Sequence, residues 1–213
     1  MRIGIYNIGS IEEHRQLGAL AVRVAKHTMP GVEVWHLTDE TTPAIDGAIV
    51  SRMARDCPMA VLRMRHHQAS GDWLFIDTDV LVLKDVAHVF DEDFDIAIAS
   101  RVAGDGAHGP AWVEMPHNMG VVFSRSPEFW GEVEDELETY EPRLQQWMGD
   151  QLAVCRMIKR GAVDAKIIPG EVYNFPPRSP AVGDAAIAHY KGKRKPWMIA
   201  KAQKILEDQC SPA

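Results

Sequence analysis

Two aspartates one residue apart, Asp77 and Asp79, follow the apolar run WLFI directly, and VLV continues beyond them. Ionised carboxylates among apolar neighbours are costly unless they are paired or metal-bound. Oxygen donors at this spacing suit a hard cation such as Mg²⁺ or Mn²⁺ and leave positions free for phosphate oxygens. Far along the chain, HYKGKRKPW at 189–197 adds a second set of groups. His189 can complete a metal site with the two acids. Gly192 lets the backbone come close to a phosphate, and Lys195 can neutralise a diphosphate as a point charge. Each segment also has a plainer reading. Asp-Thr-Asp suits a solvated turn, and DED and DFD at 91–95 repeat its spacing as surface or turn acids. A single histidine is often a satisfied core or surface residue, and KGKRK reads equally as a solvated basic tail.

A chain of 213 residues has to position these groups, enough for one large domain or two small ones. Its 46% hydrophobic and 25% charged content is that of a soluble globular protein. A net charge of -7 counts against a dedicated duplex nucleic-acid binder, which carries a basic surplus. Cys57, Cys155 and Cys210 are odd in number and far apart, so no disulfide framework follows and a reducing compartment is expected. The start, MRIGIYNIGS, has no long apolar region of a secretory signal. Nowhere do about 18 consecutive apolar residues occur, so no transmembrane helix is expected. The expected location is the cytoplasm.

The element pattern is that of an α/β sheet. RIGIY (2–6) reads as a strand; Ser10 and Glu13 then fit a capping box, and Leu17, Leu20, Ala21 and Val24 share one helix face. Gly31 closes that helix, and GVEVWHLT (31–38) reads as the next strand, a β-α-β start. Residues 51–69 read as helix, and 73–76, 96–100, 119–124 and 165–169 as strands. Two more helices are expected, at 127–141, whose acids form a solvated face, and at 149–161, ending at a glycine. In such a sheet ligands bind beyond the carboxyl ends of the strands, where Asp77 and Asp79 would lie.

Taken together, the two chemical segments resemble the glycosyltransferases of family 8, the glycogenin-like enzymes of GT-A fold. Those carry an apolar strand ending in D-x-D and, near the C-terminus, H-x-x-G-x-x-K-P-W. Intermediate markers match in order: HNMGVVF (117–123) is similar to the family's F-N-S-G-V segment, with His117 and Met119 in place of Phe and Ser. GDQ (149–151) and the VYN of 172–174 resemble its G-D-Q and Y-N. The likeness runs from Met1 to about Trp197, while the Gly- and Pro-rich loop 103–116 departs from the family pattern.

The resemblance implies one GT-A domain over 1–213, a mixed, mainly parallel sheet flanked by helices. Residues 1–100 would form a Rossmann-like nucleotide-binding half, 101–197 a sugar and acceptor half, and 198–213 a tail. It implies a metal-dependent, retaining transfer of a hexose, glucose or galactose, from a UDP-sugar. Mn²⁺ or Mg²⁺ would be held by Asp77, Asp79 and His189, matching the acids with a cation in place of a buried protein partner. Thr78 belongs to the same motif, and Gly192 and Lys195 would hold the diphosphate. Tyr6 and Asn7 would begin the uracil and ribose contacts, and Arg63 would reach the diphosphate or sugar. Asn118, Asp150 and Gln151 would surround the transferred sugar. The acceptor stays open: a glycan, lipid, protein or modified base.

Two rival readings use the same residues. WLFIDTDVL also fits the start of a haloacid-dehalogenase phosphatase, with Asp77 as nucleophile. That family places the motif near the chain start and supplies a second acidic pair, which GDQLAV lacks, and it leaves H-x-x-G-x-x-K-P-W unexplained. A non-catalytic sugar-nucleotide-binding module would not need the full set of metal and phosphate residues. A nucleotidyltransferase of related fold would need a G-x-G-x-R loop, which YNIGSIEEH does not provide.

Overall fold

In the computed structural model, residues 1–102, 113–146 and 148–208 are described. Most of loop 103–116, Trp147, Cys210 and the rest of the final stretch lie outside them. Among the described residues the central sheet has seven strands: β1 (Arg2–Tyr6), β2 (Glu33–Asp39), β3 (Ile49–Met53), β4 (Trp73–Ile76), β6 (Ile96–Ser100), β7 (His117–Ser124) and β8 (Ala165–Ile168). Their order across the sheet is β3-β2-β1-β4-β7-β6-β8. β7 runs antiparallel to β4 and β6; the other neighbours are parallel. The chain builds outward from β1 to β3 and then returns to β4 on the other side of β1. The β1–β4 junction is therefore a topological switch point, where the strand ends leave a crevice.

Alternation along the strands feeds two cores. Ile96 and Ile98 face one side of the sheet and Ala97 and Ala99 the other. On the first side lie α2 (Met59–His67), α3 (Pro127–Glu138) and α5 (Gly149–Lys159), joined through α4 (Pro142–Gln146). On the second lie α1 (Glu12–Thr28) and α7 (Lys195–Glu207), with Leu17, Ala21, Met198 and Ala202 buried. Two three-residue strands, β5 (Val80–Val82) and β9 (Ile187–His189), pair antiparallel as a separate ladder. A short helix, α6 (Gly170–Tyr173), precedes β9. The molecule is a single α/β domain with a mixed, mostly parallel sheet flanked by helices, as the sequence leads one to expect. Among the described residues no helix is long and apolar enough to cross a membrane.

Several elements differ from the sequence reading. The capping box does not form: α1 starts at Glu12 with Ile11 as its N-cap and no side-chain cap, leaving Ser10 one residue too early. Residues 51–69 are not one helix. Ile49–Met53 form an edge strand on β2, and Pro58 then sets the start of α2, since the chain before a proline is held extended. Of the stretch 198–213 expected as a tail, the part up to Glu207 belongs to helix α7, which begins at Lys195 with a proline in its first turn. The acidic face of α3 is not wholly solvated, because Glu134 accepts from Arg65 at 2.6 Å and from Gln68 at 2.7 Å.

Candidate active site

The chain leaves β4 through Asp77-Thr78-Asp79 before β5 begins at Val80. Two backbone bonds fix that passage: Asp77 N–H donates to Gly120 O (3.1 Å), and Tyr190 N–H to Asp79 O (2.8 Å). The β5–β9 ladder sets His189 opposite Val80, which brings its ring beside the acids. His189 Nε2 lies 3.0 Å from Asp79 Oδ1 and 3.8 Å from Asp77 Oδ2. One ligand atom from each of the three lies within 4.8 Å of the others. The His189 side chain is 3% exposed, while Asp79 and Asp77 are 18% and 34% exposed. The cluster is therefore closed behind the ring and open at the carboxylates. Gly120 makes room for it, because a methyl group there would overlap the His189 ring.

Asp77 has a protein partner as well, which corrects the expectation that a cation alone would match it. Arg63, on α2, donates from one Nη to Asp77 Oδ1 (3.0 Å) and Met119 O (2.7 Å), and from the other to Asp150 Oδ2 (3.3 Å). Burial opposes the charge on Arg63, but Asp77 and Asp150 outweigh it and hold the guanidinium protonated. At Asp79, burial likewise disfavours ionisation; His189 and Lys195 more than offset it, and the carboxyl lies below its usual range. Lys195 is thus beside the site, with its Nζ donating to Glu13 Oε2 at 2.7 Å. Arg63 thus sets a fixed positive charge against Asp77 and Asp150, and Lys195 one near Asp79. The two carboxylates are fitting donors for Mn²⁺ or Mg²⁺, and a neutral imidazole nitrogen is a common metal ligand.

The remaining candidates fall on either side of this cluster. Ile5 pairs with Ile76, so Tyr6 and Asp77 each come one residue beyond the same register point. The Tyr6 hydroxyl is engaged, donating to Met59 O at 2.6 Å, and burial pushes its phenol pKa up. The Asn7 carbonyl accepts from Thr38 Oγ1 (2.7 Å), while its buried Nδ2 has no partner among the described residues. Thr78 is buried. Gly192, at φ +60°, opens a 3₁₀ turn into α7, and the space where its Cβ would point is clear.

Asp150 and Gln151 occupy the first turn of α5, where a carboxylate is favoured by the helix dipole. Met148 precedes them at φ 65°, a left-handed conformation that costs a non-glycine residue. Asn118 donates to Gln151 Oε1 at 3.1 Å and accepts from Asn174, at 2.9 Å. Asn174, visible in the sequence only as the last letter of VYN, also meets His189 Nδ1 at 2.9 Å. The cluster thus brings together Asp77, Asp79, His189, Arg63, Asn118, Asp150 and Gln151, and adds Glu13, Gly120 and Asn174 to them.

No protein-family model matches this sequence, and no curated protein matches it. Solved structures do. A galactosyltransferase, LgtC, in complex with donor and acceptor sugar analogs, matches over 97% of this chain and 94% of its own. The identity is 15% and the TM-score 0.60. A glycosyltransferase involved in the glycosylation of the major capsid of PBCV-1 matches over 96% of this chain and 100% of its own, at 15% identity and a TM-score of 0.64. The glycosyltransferase GlyE of Streptococcus pneumoniae TIGR4 matches over 98% of this chain and 63% of its own, at 16% identity and a TM-score of 0.60. At these identities the likeness shows the fold, which is the GT-A glycosyltransferase fold.

Proposed function

We propose that the chain is a metal-dependent, retaining glycosyltransferase of the family 8 type. It would move a hexose, glucose or galactose, from a UDP-sugar to an acceptor. The observation that carries this is the convergence of Asp77, Asp79 and His189 at the strand ends of a GT-A sheet. A divalent ion held by those three residues would stabilise the charge developing on the departing diphosphate. Lys195 adds a second positive charge on the same side, and Gly192 leaves its backbone approachable. Tyr6 and Asn7 lie at the mouth of β1 to receive the nucleoside, with the Asn7 Nδ2 as an uncommitted donor. Residues 1–100 would thus hold the nucleotide, and 101–197 the sugar and acceptor.

Arg63 is better placed to position Asp77 and Asp150 than to reach the diphosphate itself. Retention follows from the family resemblance, and the site favours one of its two routes. A covalent glycosyl-enzyme needs a free carboxylate near the anomeric carbon. Asp150 Oδ2 is engaged by Arg63 and Oδ1 by the Gln151 N–H at 2.8 Å, which blunts it as a nucleophile. The same-face route needs no such group, because the departing diphosphate accepts the acceptor's proton while Asn118, Asp150 and Gln151 hold the sugar.

A panel of nucleotide sugars with and without Mn²⁺ tests the reading, with UDP release as the signal. Metal-dependent release from UDP-glucose or UDP-galactose, and an α-linked product by NMR of the anomeric proton, is the expected result. Nucleotide binding without release would mean a binding module. Hydrolysis of simple phosphomonoesters in its place would favour the phosphatase, and a β-linked product would sink both retaining routes.

A further inference from the structure

A buried series of carboxamides runs from α5 to the His189 ring, and two backbone groups fix its polarity. A backbone N–H can only donate. Gly120 N–H points to Asn118 Oδ1 (3.1 Å), and Met119 N–H to Gln151 Oε1 (3.3 Å). Asn118 therefore turns its NH₂ toward Gln151 Oε1. The Asn118 oxygen also faces the amide of Asn174, so Asn174 must present its NH₂ there. That leaves the Asn174 oxygen for His189 Nδ1, and an oxygen in this position calls for an N–H. Asn118, Gln151, Asn174 and His189 are 7%, 7%, 5% and 2% exposed, so water competes little for these bonds.

We infer that Asn174, oriented through Asn118, is a positioning residue that holds His189 in its Nδ1–H tautomer and turns the Nε2 lone pair toward Asp77 and Asp79. The hydrogen bond at one ring nitrogen decides what the other presents. With the proton on Nε2, the ring would donate to Asp79 Oδ1, 3.0 Å away, and the site would close on itself. On the neutral ring with the proton on Nδ1, a lone pair and a carboxylate oxygen confront each other at that distance, and a cation between them resolves the conflict. The relay keeps the site open for an ion. This deepens the proposed function and rests on its cation site.

The test reads the ring and the ion separately from glycosyl transfer. Long-range ¹H–¹⁵N NMR on the metal-free protein, read on the neutral form of the ring, should find the His189 proton on Nδ1. A proton on Nε2 would overturn the inference without any variant. Asn174→Leu should move the proton to Nε2 and weaken Mn²⁺ binding by about ten- to a hundredfold, the usual cost of losing an outer-shell partner. Asn174→Asp keeps an acceptor for Nδ1 but sets a carboxylate against Asn118 Oδ1. It should melt at a lower temperature than the wild type while retaining the tautomer and most of the Mn²⁺ affinity. Equal losses of affinity in both variants, or none in Asn174→Leu, would reduce Asn174 to a packing role. Wild-type protein that binds no Mn²⁺ would count against the proposed function, and the NMR result would then decide the relay alone.

Discussion

Asp79 lies against the His189 ring with Lys195 nearby, and Lys195 is itself held by Glu13. Asp79→Asn keeps the shape and removes the charge. Mn²⁺-dependent UDP release should fall by more than the about tenfold to hundredfold typical of an outer-shell change, with the melting curve still cooperative; an unchanged rate would make the motif a plain turn. Lys195→Ala should weaken UDP binding far more than uridine binding, because charge-assisted contacts to phosphate are worth about 1.5–3 kcal/mol. Glu13→Gln should do the opposite and tighten UDP binding by up to about fivefold, since an exposed ion pair is worth about 0–1 kcal/mol. Calorimetry with both ligands decides this, and equal losses for UDP and uridine in Lys195→Ala would place that residue away from the diphosphate. The metal-type residues were legible in the sequence because donor chemistry is written in residue type and spacing. The Arg63–Asp150 pair and the Asn174–His189 bond were not, because they depend on which side chains face each other between distant elements.

Helix starts show a similar division. Ser10 and Ser126 both precede helices, but only Ser126 is an N-cap, its Oγ accepting the Phe129 N–H at 3.3 Å with Pro127 in the first turn. Ser126→Ala should cost about 1 kcal/mol in urea unfolding, and Ser10→Ala should stay within about 0.5 kcal/mol. A capping motif reads the same in sequence wherever the helix begins, and α1 begins one residue later than the motif places it, with Ile11 as its N-cap. β3 escaped notice for a related reason. It is an edge strand, its residues exposed or half-buried, so no alternation marks it. The buried strands β1, β4 and β6 carry apolar runs and are legible to the residue, while β7 is legible only from Met119, two residues after it begins.

Across the whole molecule, three buried histidines tie stability to pH. Burial pushes His36 down to about 4, lowers His66, and holds His67 well below its usual value. An unfolded histidine takes up its proton near pH 6.5. Between there and about 4 the unfolded chain therefore binds more protons than the fold, and stability should drop as the solution is acidified through that window. Urea midpoints across it should fall with pH. His67→Leu should flatten the slope, since His67 stacks on Phe75 at 3.8 Å and neither ring nitrogen has a partner among the described residues; an unaltered slope would clear His67 of any part in the loss. The β5–β9 ladder has a different consequence, one of timing. A ribosome delivers Asp77 and Asp79 about a hundred residues before His189, an interval of about 5–20 seconds at ordinary elongation rates. Throughout that interval β5 has no β9 to pair with and the two carboxylates have no imidazole. The three-residue cluster is therefore complete only once β9 has paired with β5.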